Sequence, residues 1–173
     1  MVVSTPRVGS FLPLIEAGCT TLVLGSMPGI ASLDATQYYA HPRNAFWPIM
    51  ATVFGFARDA PYAERCAALL QSRVTLWDVL RECERRGSLD SAIVDATSEV
   101  NDFPGLFARY PGIHTVIFNG AKAADTFKRC VSNAVVTDAR KFVRMPSTSP
   151  AHARLTLADK LEKWTEVLGS PGV

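Results

Sequence analysis

The chain lacks any apolar run long enough to span a bilayer. Residues 1–10 carry no charged segment followed by a long apolar one, so no export signal is expected there. C-x-x-C pairs are absent. The four cysteines, Cys19, Cys66, Cys83 and Cys130, stand singly, and no histidine sits at zinc spacing from any of them. This argues against a zinc site, an iron–sulfur cluster or a disulfide framework, and predicts free thiols in a reducing cytoplasm. The phosphate-binding signatures G-K-[ST] and G-x-G-x-x-G are missing too. Charge of one sign is scarce in excess: 18 Lys and Arg face 16 Asp and Glu, a net +2. A polycationic nucleic-acid binder is thereby excluded, and any such contact must be a local patch. No internal repeat, low-complexity tract or linker interrupts the chain.

What is present fits one globular domain. The chain has 173 residues, 48% of them hydrophobic and 20% charged, enough for a sizeable core. Apolar runs at residues 20–24 and 114–118 read as buried strands, with a short strand at residues 74–77 and a fourth strand at residues 141–145. Between them, helices are expected over residues 44–56, 60–71, 103–110, 121–131 and 156–168. A charged helix is expected over residues 78–86, stopped by Gly87, and surface loop over residues 88–102. Phe11, Leu12 and Leu14 are expected to pack on a sheet edge. The alternation predicts an α/β fold, a three-layer α/β/α sandwich around a central four-stranded, mostly parallel sheet. Ligands bind such sheets at the carboxyl ends of the strands.

Four motifs fall at those ends. Gly25-Ser26-Met27-Pro28-Gly29 follows the first strand, and its glycines and successive N–H groups suit close approach to an anion or a carbonyl oxygen. A simple tight turn explains it equally well. Next comes a loop with Gln37, Tyr38, Tyr39, His41, Arg43 and Asn44, leading into Ala45-Phe46-Trp47. The tyrosines offer faces on which a base can stack, or belong to the core. Arg43 suits a phosphate. The neutral amide of Asn44 can position a water, or simply cap the following helix. Asp34 is the only carboxylate of this loop. Third is Asn119-Gly120, where Asn119 suits bidentate reading of a base edge, or just a turn. Fourth is Pro146-Ser147-Thr148-Ser149-Pro150, followed by His152 and Arg154. Its short hydroxyls suit a phosphodiester, or a helix-capping loop. Arg140, Lys141, Arg144 and Arg154 flank it in sequence. His114 is assigned to strand packing.

In order and spacing, these motifs resemble the uracil-DNA glycosylase superfamily, from Leu22 to Arg154. The run GS-x-P…SL…QYY…HPRN-x-FW, then WD, FNG and PSTSP, is similar to the hypoxanthine-DNA glycosylase (DNA-deoxyinosine glycosylase) branch. The resemblance implies a DNA repair enzyme that hydrolyses the N-glycosidic bond of a flipped, deaminated base. Hypoxanthine is the implied base, and xanthine a related one. It implies catalysis by Asn44 and a base pocket of Gly25, Ser26, Met27, Tyr39, Phe46 and Asn119. DNA contacts would come from Arg43, Ser147, Thr148, Ser149, His152 and Arg154. In the related mismatch-specific uracil-DNA glycosylases the first turn reads GINPG; Met27 stands in place of its asparagine. His152 stands where many relatives carry asparagine, and Ala151 is small for a wedge. No lysine nucleophile lies in the motifs, so action without strand cleavage is expected. So is a dissociative reaction: Asn44 is too weak a base to drive attack. The expected protein is a monomer with no metal, cofactor or membrane partner. Three other readings stay open: a mismatch-specific uracil-DNA glycosylase, a non-catalytic DNA-binding module of the same fold, and an enzyme of free nucleosides.

Overall fold

The computed structural model describes residues 5–131 and 139–169. Its centre is a four-stranded sheet of β2 (Thr21–Gly25), β3 (Val74–Asp78), β6 (Thr115–Asn119) and β7 (Lys141–Met145), in the order β3-β2-β6-β7. Every pairing in it is parallel. Period-two alternation splits each strand between two cores. Leu22, Leu24, Val116 and Phe118 face α4 (Phe103–Arg109) and α5 (Ala121–Cys130), where Phe103, Leu106, Phe107 and Phe127 close the layer. Val23, Leu76 and Ile117 face α2 (Phe46–Phe54), α3 (Tyr62–Gln71) and α6 (Leu157–Leu168), through Phe46, Ile49, Met50, Leu69 and Trp164. The expected three layers are present. Each fully buried Leu or Phe in them contributes about 1.5–3 kcal/mol.

Local signals set the element ends. Gly55 closes α2 in the left-handed region, at φ +72°. A capping box opens α6: Thr156 Oγ1 accepts the Asp159 N–H while Asp159 reaches back to the Thr156 N–H at 2.8 Å.

The structure corrects three expectations. Residues 80–85 form not a helix but a strand, β4 (Leu80–Arg85). Residues 88–102 are not plain loop: they hold a 3₁₀ turn (Asp90–Ala92) and β5 (Ile93–Val100). With β1 (Arg7–Gly9) these strands build a second, antiparallel sheet in the order β1-β4-β5. Leu80 and Cys83 are fully buried and pack with Ile93 and Met27, so the sheet roofs the end of the glycine-rich turn. Leu12 is 87% exposed, because the entry segment bonds through Leu14, whose N–H reaches the Leu76 carbonyl at 2.9 Å. The short helix α1 (Ile30–Ala35) was not expected.

Passage from one sheet to the other is direct. Asp78 ends β3 and Leu80 begins β4, with the Val79 N–H on Gly25 O at 2.8 Å and the Leu80 N–H on Ser26 O at 3.1 Å. Asn101 Nδ2 holds the Asp78 carbonyl at 2.8 Å. Cys19, Cys66 and Cys83 are buried free thiols, and Cys130 is an exposed one.

Candidate active site

The carboxyl ends of β2, β3 and β6 open into a cleft of about 680 Å³. All four motifs meet there. Gly25, Ser26 and Met27 line it, as do Tyr39, Arg43, Asn44, Asn119, Ser147, Ser149 and His152. Among the described residues no group of three or more His, Cys, Asp or Glu is placed to hold a metal ion, and no helix is long and apolar enough to cross a membrane.

The HPRN turn is held at every step. The Asn44 N–H reaches the His41 carbonyl at 2.8 Å, and the Arg43 N–H reaches His41 Nδ1 at 3.1 Å. The Ala45 N–H reaches the Thr148 carbonyl at 2.9 Å. Asn44 Oδ1 accepts the Phe46 N–H at 3.0 Å. A backbone N–H only donates, so this bond assigns oxygen and nitrogen of the amide and fixes its plane. Asn44 thus braces the turn that enters α2, whose N-cap residue is Ala45, and lines the cleft at once.

The two tyrosines part ways. Tyr38 is 5% exposed, and its hydroxyl donates to the Leu12 carbonyl at 3.0 Å. The Tyr39 backbone is left-handed, at φ +54°, which is uncommon for an aromatic residue and turns its ring out of register with its neighbour. That ring stacks on Phe46, with centroids 4.0 Å apart and planes 23° apart. Phe46 itself is fully buried and lies behind Tyr39, so it supports the stacking platform instead of touching a ligand.

Asn119 and Thr148 also differ from expectation. Asn119 Nδ2 donates to Thr148 Oγ1 at 2.8 Å, and Asn119 Oδ1 accepts the Thr148 N–H at 2.9 Å. The neighbouring loop takes one N–H and one lone pair of the amide and fixes its orientation, while Asn119 still lines the cleft. Thr148 is fully buried, so it cannot meet a phosphodiester; it pins the FNG strand end and the HPRN turn together. Ser147 Oγ and Ser149 Oγ accept the N–H groups of Ser149 and Ala151, both at 3.2 Å, which leaves each hydroxyl proton to donate outward. Arg154 is exposed and does not line the cleft, because the chain turns away there toward α6. Nor do the basic residues flanking PSTSP cluster. Lys141 pairs with Thr115 at the start of β7 and Met145 with Asn119 at its end, which puts Arg140 and Lys141 at the opposite edge of the sheet. Arg140 stacks over Phe107 and donates to the Ile113 carbonyl. Asp34 and His114 are exposed and outside the cleft.

Met27 lines the cleft while its side chain belongs to the core beneath the antiparallel sheet. Arg85, 1% exposed, sits under the same turn, with Nη2 on the Pro28 carbonyl at 2.5 Å and Nη1 on the Met27 carbonyl at 3.4 Å. Burial pulls its pKa down.

Sequence reasoning brought the Trp77-Asp78 strand end to the cleft without giving Asp78 a role, and it missed Asp90. Asp90, on the 3₁₀ turn, accepts the Ser26 hydroxyl at 2.5 Å. Its pKa is raised by the walls around it, a shift opposed by Ser26, Arg85 and Lys122. Asp78 is 4% exposed, and its Oδ2 has no hydrogen-bond partner. Burial, and next the charge of Asp90, push its pKa up to about 7, against the pull of Arg85. The Tyr39 hydroxyl is likewise buried without a partner. Burial and the Asp78 charge raise its pKa; Asn119 approaches and offsets part of that without completing a hydrogen bond of ordinary geometry. Both groups stand over Gly25, where a Cβ would come 2.5 Å from Asp78 Oδ1 and 3.3 Å from the Tyr39 hydroxyl. A signal for Asp78 existed: it ends an apolar strand at the ligand-binding edge. Asp90 lies in a hairpin the sequence hid.

Comparison with known proteins points one way. The profile of the Uracil DNA glycosylase superfamily matches residues 13–168. The chain is similar to the hypoxanthine DNA glycosylases of Methanosarcina barkeri and Methanosarcina acetivorans, at 36% identity over 116 residues in each case, 66% of this chain and 72% of the relative. It also resembles the solution NMR structure of a candidate uracil DNA glycosylase from Methanosarcina acetivorans, with a TM-score of 0.80 and 29% identity over 94% of this chain and 97% of that one.

Proposed function

The chain belongs to the uracil DNA glycosylase superfamily and is a DNA N-glycosylase acting on deaminated bases, and we propose that its base is hypoxanthine, released from deoxyinosine by hydrolysis. The observation that carries this reading is the cleft itself. A neutral amide of fixed orientation, Asn44, and the ring of Tyr39, stacked on Phe46, line one strand-end pocket together with the hydroxyls of Ser147 and Ser149. The names of the two curated relatives support the choice of base.

The target carbon lies inside the duplex, so the nucleotide must leave the stack, and a mispaired hypoxanthine costs less to extrude than a paired base. Arg43, Ser147, Ser149 and His152 at the mouth would hold the phosphates, and the ring of Tyr39, backed by Phe46, would take the base. Asn44 is uncharged and cannot draw a proton strongly from water. We therefore assign a dissociative path: the C1′–N9 bond breaks toward an oxocarbenium-like sugar, and water held on the second lone pair of Asn44 Oδ1 captures it. Held geometry makes that capture efficient. The N–H groups of Ser26 and Met27, which line the cleft on a turn braced by Arg85, would serve as donors to the departing base. Lys122 lines the cleft but is held by Asp95 at 2.6 Å, and we assign it no nucleophilic role and the reaction no strand cleavage.

The test is base release from a duplex carrying one deoxyinosine, with a uracil duplex alongside. Asn44→Ala should lower the single-turnover rate by about 10²-fold or more with DNA binding retained. Release of uracil alone would move the chain to the mismatch-uracil branch. DNA binding without release of either base would refute catalysis.

A further inference from the structure

Asp78 is the most deeply buried ionisable group in the cleft that the hydrolysis above does not use. Its placement is built, not incidental. The Asp78 carbonyl is clamped by Asn101 Nδ2, and the following two N–H groups are clamped by Gly25 and Ser26. Only a glycine at position 25 leaves room for the carboxyl group, since a Cβ there would overlap Asp78 Oδ1 at 2.5 Å. Yet Oδ2 meets no partner, and neither does the Tyr39 hydroxyl beside it. Two buried polar atoms without partners on the floor of one pocket are costly unless a ligand completes them.

We propose that Asp78 is a second catalytic residue, the general acid that protonates the leaving purine. This rests on the glycosylase reading. In its neutral form the carboxyl group donates from Oδ2 to a ring-nitrogen acceptor of the flipped hypoxanthine, N3 or N7. As the C1′–N9 bond breaks, its electron pair passes to the purine and the proton moves from Oδ2 to that nitrogen, so hypoxanthine departs neutral. The water at Asn44 adds to C1′ and gives up its proton to the Asp78 carboxylate, which restores the acid. Uracil offers no such nitrogen: N1 carries the sugar and N3 carries a hydrogen. The acid thus favours a purine over a pyrimidine, and it supplies what a neutral asparagine cannot.

The surroundings suit a carboxyl group that keeps its proton near neutrality. Tyr39 faces it from the loop after α1, with Tyr38 behind; Asp90 faces it from the 3₁₀ turn; Arg85 faces it from β4. Burial and the Asp90 charge outweigh Arg85, whose hydrogen bonds go to the Met27 and Pro28 carbonyls. The sign follows. A raised pKa means the acid is present below about pH 7 and lost above it.

The experiment is single-turnover hypoxanthine release from a deoxyinosine duplex between about pH 5.5 and 8.5, for wild type and Asp78→Asn. Wild type should be flat at low pH and fall about tenfold per unit above a midpoint near 7. Asp78→Asn should be slower by about 10²-fold at low pH, bind the duplex as before, and lose the alkaline fall. A variant within threefold of wild type, or one that keeps the fall, overturns the proposal. Should Asp78→Asn not fold, the wild-type profile decides: a rate that stays flat or rises through pH 8.5 refutes the acid. Failure of wild type to release hypoxanthine at any pH would instead refute the choice of base, and the acid with it.

Discussion

Replacing Asp78 by asparagine should stabilise the fold at alkaline pH while it removes activity. The ordinary pKa of an aspartate is 3.8, and burial brings Asp78 to about 7. The folded chain therefore holds this proton more tightly than the unfolded chain does. Between those two values the folded state binds more protons, and stability falls as pH rises, by at most about 1.4 kcal/mol per unit. Integrated, the raised pKa costs the folded state about 2 kcal/mol near pH 5 and about 4 kcal/mol near pH 8.5. Asparagine carries no such cost. A gap at a single pH also contains whatever hydrogen bonds the amide gains or loses, but those do not vary with pH. The gap between variant and wild type should accordingly widen by about 2–3 kcal/mol between the two pH values, which is about 5–10 °C in Tm for a chain of this size. Thermal and urea denaturation followed by circular dichroism at both pH values measure it. A gap of equal size at pH 5 and pH 8.5 would mean that Asp78 ionises like an exposed carboxylate, and the argument for a retained proton would collapse.

Two further substitutions read the rest of the cleft. Asn119→Ala strips partners from the buried N–H and hydroxyl of Thr148 and should cost about 2–4 kcal/mol in urea denaturation, whereas Thr148→Ser keeps the N–H donor and the hydroxyl acceptor and should cost far less. Tyr39→Phe removes a hydroxyl that has no protein partner and should leave stability within about 1 kcal/mol, while Tyr39→Ala removes the ring stacked on Phe46 and should cost roughly 2–4 kcal/mol.

Three strands of the parallel sheet, β2, β3 and β6, were legible because they are buried and read as largely apolar runs, whereas the edge strand β7 carries the exposed Lys141 and Arg144. The hairpin of β4 and β5 was not legible. Its register shifts between Leu80 and Glu82 and again between Glu82 and Glu84, which breaks the alternation a strand would show. A buried arginine at position 85 completes the disguise, so the segment reads as a charged helix. Within the site, the convergence of GSMPG, WD, FNG and PSTSP followed from the rule that strand ends gather on one edge. What each side chain does there did not follow, because it depends on partners far along the chain. Asn119 looks free for a base until Thr148, 29 residues away, takes both ends of its amide. Phe46 looks like a pocket residue until Tyr39 is seen lying over it. Asp78 carried the right address, the end of a buried strand, but only burial and the neighbouring Asp90 reveal its chemistry.

Because β3 runs into β4 without a turn, the floor of the cleft belongs to two sheets at once. The amides of Val79 and Leu80 are tied to Gly25 and Ser26, and they can exchange with solvent deuterium only when the end of β3 parts from the end of β2. Such a floor resists opening. A nucleotide enters and leaves over the rim alone, and the pocket tests each extruded base as a rigid die tests a blank. Discrimination between lesions then rests on the shape and protonation of the base, with little accommodation by the protein.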